Sequence, residues 1–488
     1  MLAGSLVVAL LLLTLNPASG RLRATQTYTV SRTPLDKPQI ETHKGFAIGQ
    51  DSDYRSEATV QAKQPAAGTA DRWVLVFKQD TAIRAMQALC TEAQAAARGR
   101  FSGSCTRLHT GTLMRGLSGI FTATDIQQIS RLYQDSLLAV EKDGTFQVDQ
   151  EPSPSSSSSV LKEAERQQAA ASSAPATGST GFPTTPWGLD MIDQRTLPLD
   201  HLYHYSGLGS GVHVYMVDTG IRLTHEDFGH MDGTPGSRAV AGFSVFGDNN
   251  SSDCYGHGTH TAATVGGLTY GVAKNATLVA VRALDCFGQA SYTNVITALQ
   301  WVADNAQHPA IVSTSVAGKY SAAVNQAVQS LIDDHGITVV AAAGNDNEDA
   351  CQRLPAGAPG AIAVGAVDSQ MRRWFSSNWG SCAALHAPGV DIISAGLASD
   401  TASAVKTGTS MAVPHASGVA ALYLEANPGA SPADVKEQLV ASATYDMIQD
   451  DPAGGASLEG IGSGMLDISP TPNRLLYSML NKQRPSET

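Results

Sequence analysis

Residues 211–220 read GVHVYMVDTG, an apolar run that ends in a carboxylate, a threonine and a glycine. The run is short and rich in β-branched and aromatic residues, which favours a buried strand. Such a strand would deliver Asp218 to its carboxyl end, the edge at which open parallel sheets carry their sites. The stretch therefore predicts a parallel sheet with a functional residue at the end of one strand.

Further β-rich runs follow this stretch, namely ATLVAV, AIVSTSV, ITVVAAA and AIAVGAV. They alternate with helical stretches such as residues 294–305 and 321–335. Alternation of this kind is typical of βαβ units with helices on both faces of a mainly parallel sheet. We therefore expect an α/β fold for residues 183–480.

Two other segments carry a reactive side chain among small or turn-forming residues. His257 lies in GHGTH, and Ser410 lies in GTSMAVPH at the start of an apolar helix. Taken alone, a histidine near glycine is usually a loop residue, and a serine that opens a helix is more often its N-cap. The ordered occurrence of Asp218, His257 and Ser410 favours nucleophilic catalysis instead. Near a helix N-terminus, Ser410 would lie beside N–H groups that stabilise developing negative charge.

VYMVDTG, GHGTH and GTSMAVPH resemble the three signature segments of the subtilisin-like serine proteases. The resemblance extends over about residues 186–477 and is strongest to the proteinase K branch, which PWGLDMI and TPNRLLYSML also resemble. It implies that Ser410 attacks the scissile carbonyl, that His257 transfers the proton and that Asp218 orients the imidazole. The segment ITVVAAAGND implies that Asn345 donates to the oxyanion together with the Ser410 backbone N–H.

The resemblance also implies how a substrate would bind. In this family the peptide adds as a strand between two exposed edges. Small residues at 341–344 leave room for an apolar side chain, and no acidic cluster demands a basic residue, so broad apolar or aromatic specificity is expected. The matching edge residues are Gly288, Gln289 and Ala290 on one side and Ser315, Val316, Ala317 and Gly318 on the other.

The chain before the peptidase region changes composition several times. Residues 1–20 combine a short apolar run with a small-residue cleavage site, which predicts a signal peptide although no Lys or Arg precedes the run. Residues 21–70 are polar and predicted to be disordered. Residues 71–150 read strand–helix–strand–helix–strand, a small α/β sandwich that resembles the inhibitory propeptide of the family. Residues 151–182 form a Ser/Pro/Ala-rich linker, either a processing zone or an O-glycosylated spacer.

Composition restricts the partners and the compartment. With 32 Lys and Arg against 44 Asp and Glu, the net charge is -12, which disfavours nucleic-acid binding. After the N-terminal segment the sequence contains no run of eighteen apolar residues, the length that would predict a membrane span. A secreted protein, or one in the lumen of the secretory or vacuolar pathway, is therefore expected. The expected partners are polypeptide substrates and the protein's own propeptide, with the chain a monomer. Sequons that a glycosylating host could use occur at Asn249, Asn250 and Asn275.

Six cysteines allow 15 connectivities. If the propeptide is released, a bond between it and the mature domain would tether the inhibitor, so pairing within each part is favoured. The spacings of Cys254 and Cys286 and of Cys351 and Cys382 also resemble spacings in a secreted proprotein convertase of the same branch. A free catalytic cysteine is disfavoured because no cysteine lies in a His-paired motif. The expected pairs are Cys90–Cys105, Cys254–Cys286 and Cys351–Cys382.

Three positions depart from the family pattern. Thr261 and Ala263 are unusual but small, and they are expected to affect packing rather than chemistry. Ala384 stands where the proteinase K branch often has a calcium-binding Asp, so no metal is assigned. Structural calcium stays possible without identified ligands, and the chemistry needs no cofactor. His257 and His260 could in principle share zinc, but the HExxH motif is absent.

Two functions follow from these patterns. The leading hypothesis is a secreted endopeptidase made as a self-processing zymogen, with the activation cut at or shortly after Gln150. The alternative is a regulatory or binding homologue that cleaves itself once and then retains its propeptide. The convertase-like cysteine spacing motivates the alternative, although that relative also owes its partner role to an additional Cys-rich domain.

Overall fold

The computed structural model describes residues 13–15, 22–24, 70–94, 101–148, 186–450 and 471–479. In an N-terminal unit, residues 1–43, the short strands Leu13–Leu15 and Leu22–Ala24 pair antiparallel. Apart from these strands and Ala70, the predicted signal peptide and polar extension lie outside the described residues. The predicted linker, residues 151–182, lies outside them as well.

A large, mainly parallel sheet forms the centre of the chain after residue 186, which confirms the predicted α/β fold. The first strand of this part, His213–Asp218, lies in the interior of the sheet. Its neighbours are Thr277–Arg282 on one side and Ala310–Thr314 on the other. The short segments Arg474–Leu475, Thr444–Tyr445, Arg372–Arg373 and Gln449–Asp450 extend one side of the sheet. In spatial order, the parallel strands are Ala239–Ser244, Thr277–Arg282, His213–Asp218, Ala310–Thr314, Thr338–Ala342, Ile362–Val367 and Ala383–Pro388.

Both faces of this sheet are buried. Alternate residues of a strand point to opposite faces, and in strand His213–Asp218 both sets lie in apolar clusters. Val214 and Met216 belong to one apolar cluster, and Tyr215 and Val217 belong to the other. This is why the strand reads as a continuous apolar run rather than an alternating one. The helices on the Val214 side form the first layer and are His257–Gly266, Thr409–Ala426 and Pro432–Ser442. The helices on the Tyr215 side form the second layer and are Tyr292–Asn305 and Ala322–Asp333.

Shorter elements lie around the sheet. Two short antiparallel pairs lie outside it, Gly318–Lys319 with Arg353–Leu354 and Ile392–Ala395 with Ser403–Lys406. The remaining helical segments within residues 186–450 are Trp187–Asp193, Glu226–Phe228 and Ala350–Gln352.

Residues 70–94 and 101–148 contain a separate four-stranded antiparallel sheet, here called the four-stranded module. One face of its central strand, with Trp73, Leu75 and Phe77, packs on the two helices of the module. The other face, with Val74 and Val76, belongs to the same apolar cluster as the helices of the large sheet's second layer. The strands are Ser104–His109, Arg115–Thr122, Ala70–Phe77 and Leu137–Lys142, and the helices are Ile83–Gln94 and Ala123–Leu132.

The module differs from the sequence prediction in two places. Strand Ser104–His109 was not predicted, because SCTRLH is polar and too short to show a clear alternation. The predicted single strand LLAVEKDGTFQV is interrupted before Thr145–Gln147. The interruption contains Gly144, where an added Cβ would come within 2.5 Å of the Tyr292 ring. A close approach between two parts of the chain therefore breaks the strand.

The structure joins the six cysteines in the pairs Cys90–Cys105, Cys254–Cys286 and Cys351–Cys382. The first bond lies within the four-stranded module, between its first helix and strand Ser104–His109. The other two lie within the part that contains the large sheet. No disulfide among the described residues therefore tethers the module to the rest of the chain.

Candidate active site

Asp218 and His257 form a buried pair at the carboxyl edge of the large sheet. Asp218 is the last residue of strand His213–Asp218, and His257 is the first residue of a helix. Nδ1 of His257 lies 2.8 Å from Oδ1 and 2.9 Å from Oδ2 of Asp218. Because an ionised carboxylate only accepts hydrogen bonds, His257 donates from Nδ1. Its Nε2 is therefore the ring nitrogen that can take up a proton.

Asp253, which the sequence analysis missed, organises the turn that leads into His257. Its Oδ1 accepts hydrogen bonds from Thr219 Oγ1 and from the backbone N–H groups of Tyr255 and Gly256, at 2.8–2.9 Å. Its Oδ2 accepts from the backbone N–H and Oγ1 of Thr259, at 2.8 and 2.6 Å. The N-cap Gly256 cannot supply a side-chain cap, so Asp253 takes that role for the His257 helix. The signal in the sequence was the carboxylate four positions before His257.

Thr261 contacts the carboxylate of Asp218. Its Oγ1 donates to Asp218 Oδ2 at 3.2 Å, and Thr261 itself is fully buried. The same hydroxyl also lies 3.1 Å from the carbonyl oxygen of Gly258, so Thr261 adds a shared polar contact to the packing role expected from the sequence. Residues 257 and 261 stand one helical turn apart, so both side chains face the end of the Asp218 strand. Ala263, the other unusual position, is fully buried in the apolar cluster beneath this helix.

Ser410 is the second residue of an 18-residue helix, Thr409–Ala426, and is 5% exposed. Its Oγ donates to the backbone carbonyl of Ser315 at 2.8 Å, and the hydroxyl of Ser315 donates to the carbonyl of Ser410 at 2.9 Å. Pro414 has no N–H with which to reach the carbonyl of Ser410 four residues earlier. The Ser315 hydroxyl supplies the missing donor, so this edge segment holds the start of the helix.

Asn345 is held against the first residue of the Ser410 helix. Its Oδ1 accepts from the backbone N–H of Thr409 at 2.9 Å and from Thr409 Oγ1 at 2.7 Å. Asn345 also lines the pocket described below, and its amide nitrogen is the only donor of its side chain. Gly408 has φ 151°, and a Cβ at this position would lie 3.2 Å from Asn345 Nδ2, so glycine suits the approach.

Asn378, a second residue that the sequence analysis missed, fixes the loop around Asn345. Its Oδ1 accepts from the backbone N–H groups of Asp346 and Glu348 at 3.0 and 2.8 Å. Its Nδ2 donates to the carbonyl of Ala343 at 2.9 Å, and the residue is fully buried. Asparagine in a Ser-Ser-Asn segment is an ordinary turn signal, so nothing local marked it. Only the folded chain brings it under the loop.

One pocket combines these side chains. It lies at the carboxyl edge of the sheet, and it contains the serine, the histidine and the asparagine that the sequence selected. The residues that line it are Tyr255, His257, Asn345, Lys406, Thr407, Ser410 and Met411.

The chain's own residues lie between the two predicted substrate edges. Strand Thr145–Gln147 pairs antiparallel with Gln289–Ser291, and Val148 N donates to the carbonyl of Gly288 at 2.9 Å. On the opposite side, Gln147 forms an antiparallel bridge to Ala317. The neighbouring edge residues Val316 and Gly318 are buried.

Phe146 anchors this strand in the cleft. It is fully buried, and its ring centroid lies 5.0 Å from that of Tyr292. A Cβ on Gly318 would come within 2.6 Å of the Phe146 ring, so the edge must carry glycine there for this side chain to fit. Val148, two residues further on and facing the same side, is also buried.

Two carboxylates of the four-stranded module cap helices of the large sheet's second layer. Glu141 accepts from Ser321 Oγ at 2.6 Å and from the backbone N–H groups of Ala322 and Ala323 at 3.0 Å. Asp143 accepts from the backbone N–H of Thr293 at 2.9 Å. Negative charge at a helix N-terminus is stabilising, although burial raises the pKa of Glu141 above its ordinary value.

Comparisons with known proteins agree with this geometry. Residues 209–464, more than half of the 488 residues, match the family model described as the subtilase family. The chain belongs to the subtilase family. This region of the chain, which includes Asp218, His257, Asn345 and Ser410, is called the subtilase domain below.

Individual relatives support the assignment of the subtilase domain. The chain is 48% identical over 269 residues to an extracellular serine proteinase from Thermus sp. (strain Rt41A), covering 54% of this chain and 62% of the relative. It is 45% identical over 265 residues to alkaline serine exoprotease A of Vibrio alginolyticus, covering 54% and 48%. The match therefore spans about half to two thirds of each relative's length.

A solved structure resembles the subtilase domain in its fold. The crystal structure of a cold-adapted subtilisin-like serine proteinase is 42% identical to this chain and covers 61% of it and 99% of the solved chain, with a TM-score of 0.54. This agreement supports the predicted subtilisin-like topology of the large sheet.

The remaining histidine of GHGTH is not directed at a shared metal with His257. His260 is fully buried, its Nε2 lies 3.0 Å from the carbonyl oxygen of Ile392, and burial lowers its pKa to about 3. Ala384 is also buried, in an apolar cluster of the subtilase domain. Among the residues that the structure describes, no group of three or more His, Cys, Asp or Glu side chains could hold a metal ion.

The predicted sequons differ in accessibility. Asn249 and Asn250 are exposed in the loop before Cys254, and Asn249 has a φ of 50°. Asn275 is half-buried, and its Nδ2 donates to Ser210 Oγ at 3.1 Å, so a glycan there would disrupt a contact. Across the described part of the chain, no helix is both long enough and apolar enough to span a bilayer.

Proposed function

We propose that this chain is a secreted serine endopeptidase that cleaves peptide bonds with Asp218, His257 and Ser410. The observation that carries the proposal is that Ser410, His257 and Asn345 line one pocket, in which both carboxylate oxygens of Asp218 hold Nδ1 of His257. The extracellular naming of a relative and the apolar N-terminal segment support secretion.

The reaction follows from the donors and acceptors of the pocket. The hydroxyl of Ser410 turns from the Ser315 carbonyl and gives its proton to Nε2 of His257 as Oγ attacks the substrate carbonyl. Asp218 stabilises the imidazolium that forms. The Ser410 backbone N–H and Asn345 Nδ2 donate to the oxyanion, and His257 then protonates the leaving amine. No cofactor takes part in these steps.

The four-stranded module has the role of an inhibitory propeptide in this proposal. Residues 145–148 occupy the cleft as a substrate strand would, with Phe146 and Val148 buried. Glu141 and Asp143 fix the module at two helix N-termini, which gives it a defined register. The module would thereby assist folding and block the cleft until self-cleavage.

The pairing in the cleft also predicts the position of the cut. Gln147 bridges Ala317 antiparallel, so in a substrate strand that keeps this register the residue two positions after the one at Ala317 would stand opposite Ser315. The carbonyl of Ser315 is the acceptor for Ser410 Oγ. We therefore propose cleavage between Asp149 and Gln150, two residues that lie outside the described part, within one residue of the cut expected from sequence.

Expression of the wild type beside Ser410→Ala tests self-processing. We expect the wild type to release a fragment whose C-terminal residue is Asp149, as read by intact mass, whereas Ser410→Ala stays uncut. Ser417→Ala, a buried serine on the same helix, is the matched control and should still be processed. Identical fragments from the wild type and Ser410→Ala would refute self-processing, and a different fragment end would refute the proposed register.

The alternative function is a binding protein that retains its propeptide. The burial of Phe146 and Val148 in the cleft favours retention of the module. A casein assay separates the two functions. If the processed, folded wild type cleaves casein and Ser410→Ala does not, the protein is an endopeptidase. No turnover after the module has been removed and folding verified by circular dichroism would favour the binding function.

A further inference from the structure

Lys406 brings a positive charge into the catalytic pocket. It is the last residue of strand Ser403–Lys406 and pairs with Ile392, whose carbonyl oxygen lies 3.0 Å from Nε2 of His260. Lys406 and Thr407 therefore lead directly into Gly408 and the Ser410 helix. The Lys406 side chain lines the same pocket as His257 and Ser410.

The side chains that line the pocket favour an anion, although the carboxylates of Asp218 and Asp391 contact two of them, His257 and Thr407, from behind. None of the seven described side chains that line the pocket carries a carboxylate. The N-terminus of the 18-residue Ser410 helix adds a partial positive charge to the same region. Burial lowers the pKa of Lys406 to about 8, so the ammonium is still mostly charged at pH 7. A partly desolvated ammonium gains more from a carboxylate than a fully hydrated one does.

The bound strand indicates which part of a substrate Lys406 would meet. Residues before the cut are held by Gly288 and strand Gln289–Ser291 on one side and by Ala317 on the other. Lys406 belongs to neither edge but to the segment that enters the Ser410 helix. Because the two edges account for the residues before the cut, the substrate residues at and beyond the scissile bond are the ones left for Lys406 to contact.

We propose that Lys406 forms a subsite for an acidic side chain in the first two residues after the cut. The subsite deepens the proposed peptidase function and rests on it. The chain's own sequence is complementary, because the residues that follow Val148 are Asp149, Gln150 and Glu151. With the cut after Asp149, Glu151 is the second residue on the leaving-group side.

Matched peptides test the subsite on the processed enzyme. Internally quenched peptides keep the sequence GTFQVD before the cut and carry Glu, Gln or Lys at the first or second position after it. We expect the wild type to cleave one of the Glu peptides about tenfold faster in kcat/KM than its Gln counterpart, because a charge-assisted contact is lost with Gln. High salt should reduce the difference.

Variants of the lysine separate charge from shape. Lys406→Gln should remove the preference for Glu, Lys406→Arg should keep most of it, and Lys406→Glu should favour the Lys peptide. Lys436→Gln is the control, since Lys436 is a half-buried lysine on helix Pro432–Ser442 whose Nζ donates to the carbonyl of Ala361. It should cleave the peptides as the wild type does.

The outcomes distinguish the two proposals. Equal cleavage of the Glu and Gln peptides by the wild type overturns the subsite while the peptidase function stands. A preference for Glu that persists in Lys406→Gln also overturns it. If the processed, folded enzyme cleaves none of the peptides and no casein, the peptidase function fails and the subsite fails with it.

Discussion

Asp253 offers a direct test of how His257, the proposed general base, is held. Asp253→Asn keeps one oxygen acceptor but loses the charge and the second acceptor, so donors such as the backbone N–H of Thr259 lose their partner. A hydrogen bond to a charged group contributes about 1.5–3 kcal/mol, and two such bonds are lost or weakened here. We therefore expect the free energy of unfolding to fall by about 3 kcal/mol. Because His257 begins the helix that Asp253 caps, kcat/KM should fall about tenfold or more.

The assay combines stability and turnover. Thermal unfolding is measured in a Ser410→Ala background, which prevents autolysis, and a decrease in Tm of about 6–12 °C is expected for a domain of this size. Turnover of a peptide substrate is measured with Ser410 intact. Asp232→Asn is the control, because Asp232 is an exposed turn carboxylate that accepts from the backbone N–H of Thr234. If Asp253→Asn behaves like Asp232→Asn in both measurements, the positioning role of Asp253 is refuted.

Three further predictions follow from single contacts. Thr261→Val removes a donor to Asp218 and should lower kcat/KM about fivefold with little change in Tm. Thr261→Ser keeps the hydroxyl and should have the kcat/KM of the wild type. An unchanged kcat/KM in Thr261→Val would contradict a role of this hydrogen bond in turnover. Asn345→Ala should lower kcat by about 10²–10³ with KM nearly unchanged, and a rise in KM alone would argue against oxyanion binding. Burial, then Arg107, lowers the pKa of His109 from 6.5 to about 4, so the folded full-length chain takes up fewer protons than the unfolded chain between these values. Its stability should fall by about 3 kcal/mol as the pH drops through that window, and His109→Gln in Ser410→Ala should unfold with a flatter pH profile, which urea titrations would detect.

Patterns that depend on near neighbours were predictable. The strand that delivers Asp218, the glycine-flanked His257 and the serine at the start of the apolar helix are all local features. The helix predicted over residues 321–335 is observed at Ala322–Asp333, within two residues at each end. Hydrophobic periodicity and turn residues indicate such elements because both patterns depend on residues only a few positions apart.

The sequence by itself indicated the α/β fold of the subtilase domain and most of its elements, and it selected Asp218, His257 and Ser410 as the candidate reactive side chains. Only the tertiary structure decided what surrounds them. Thr261 on Asp218, Asn378 beneath the Asn345 loop and Lys406 in the catalytic pocket involve side chains whose partners no local pattern identifies. The division has a physical reason. Strand and helix formation depend on residues a few positions apart, whereas the hydrogen bonds and charges of the site join segments that only the parallel sheet brings to one edge.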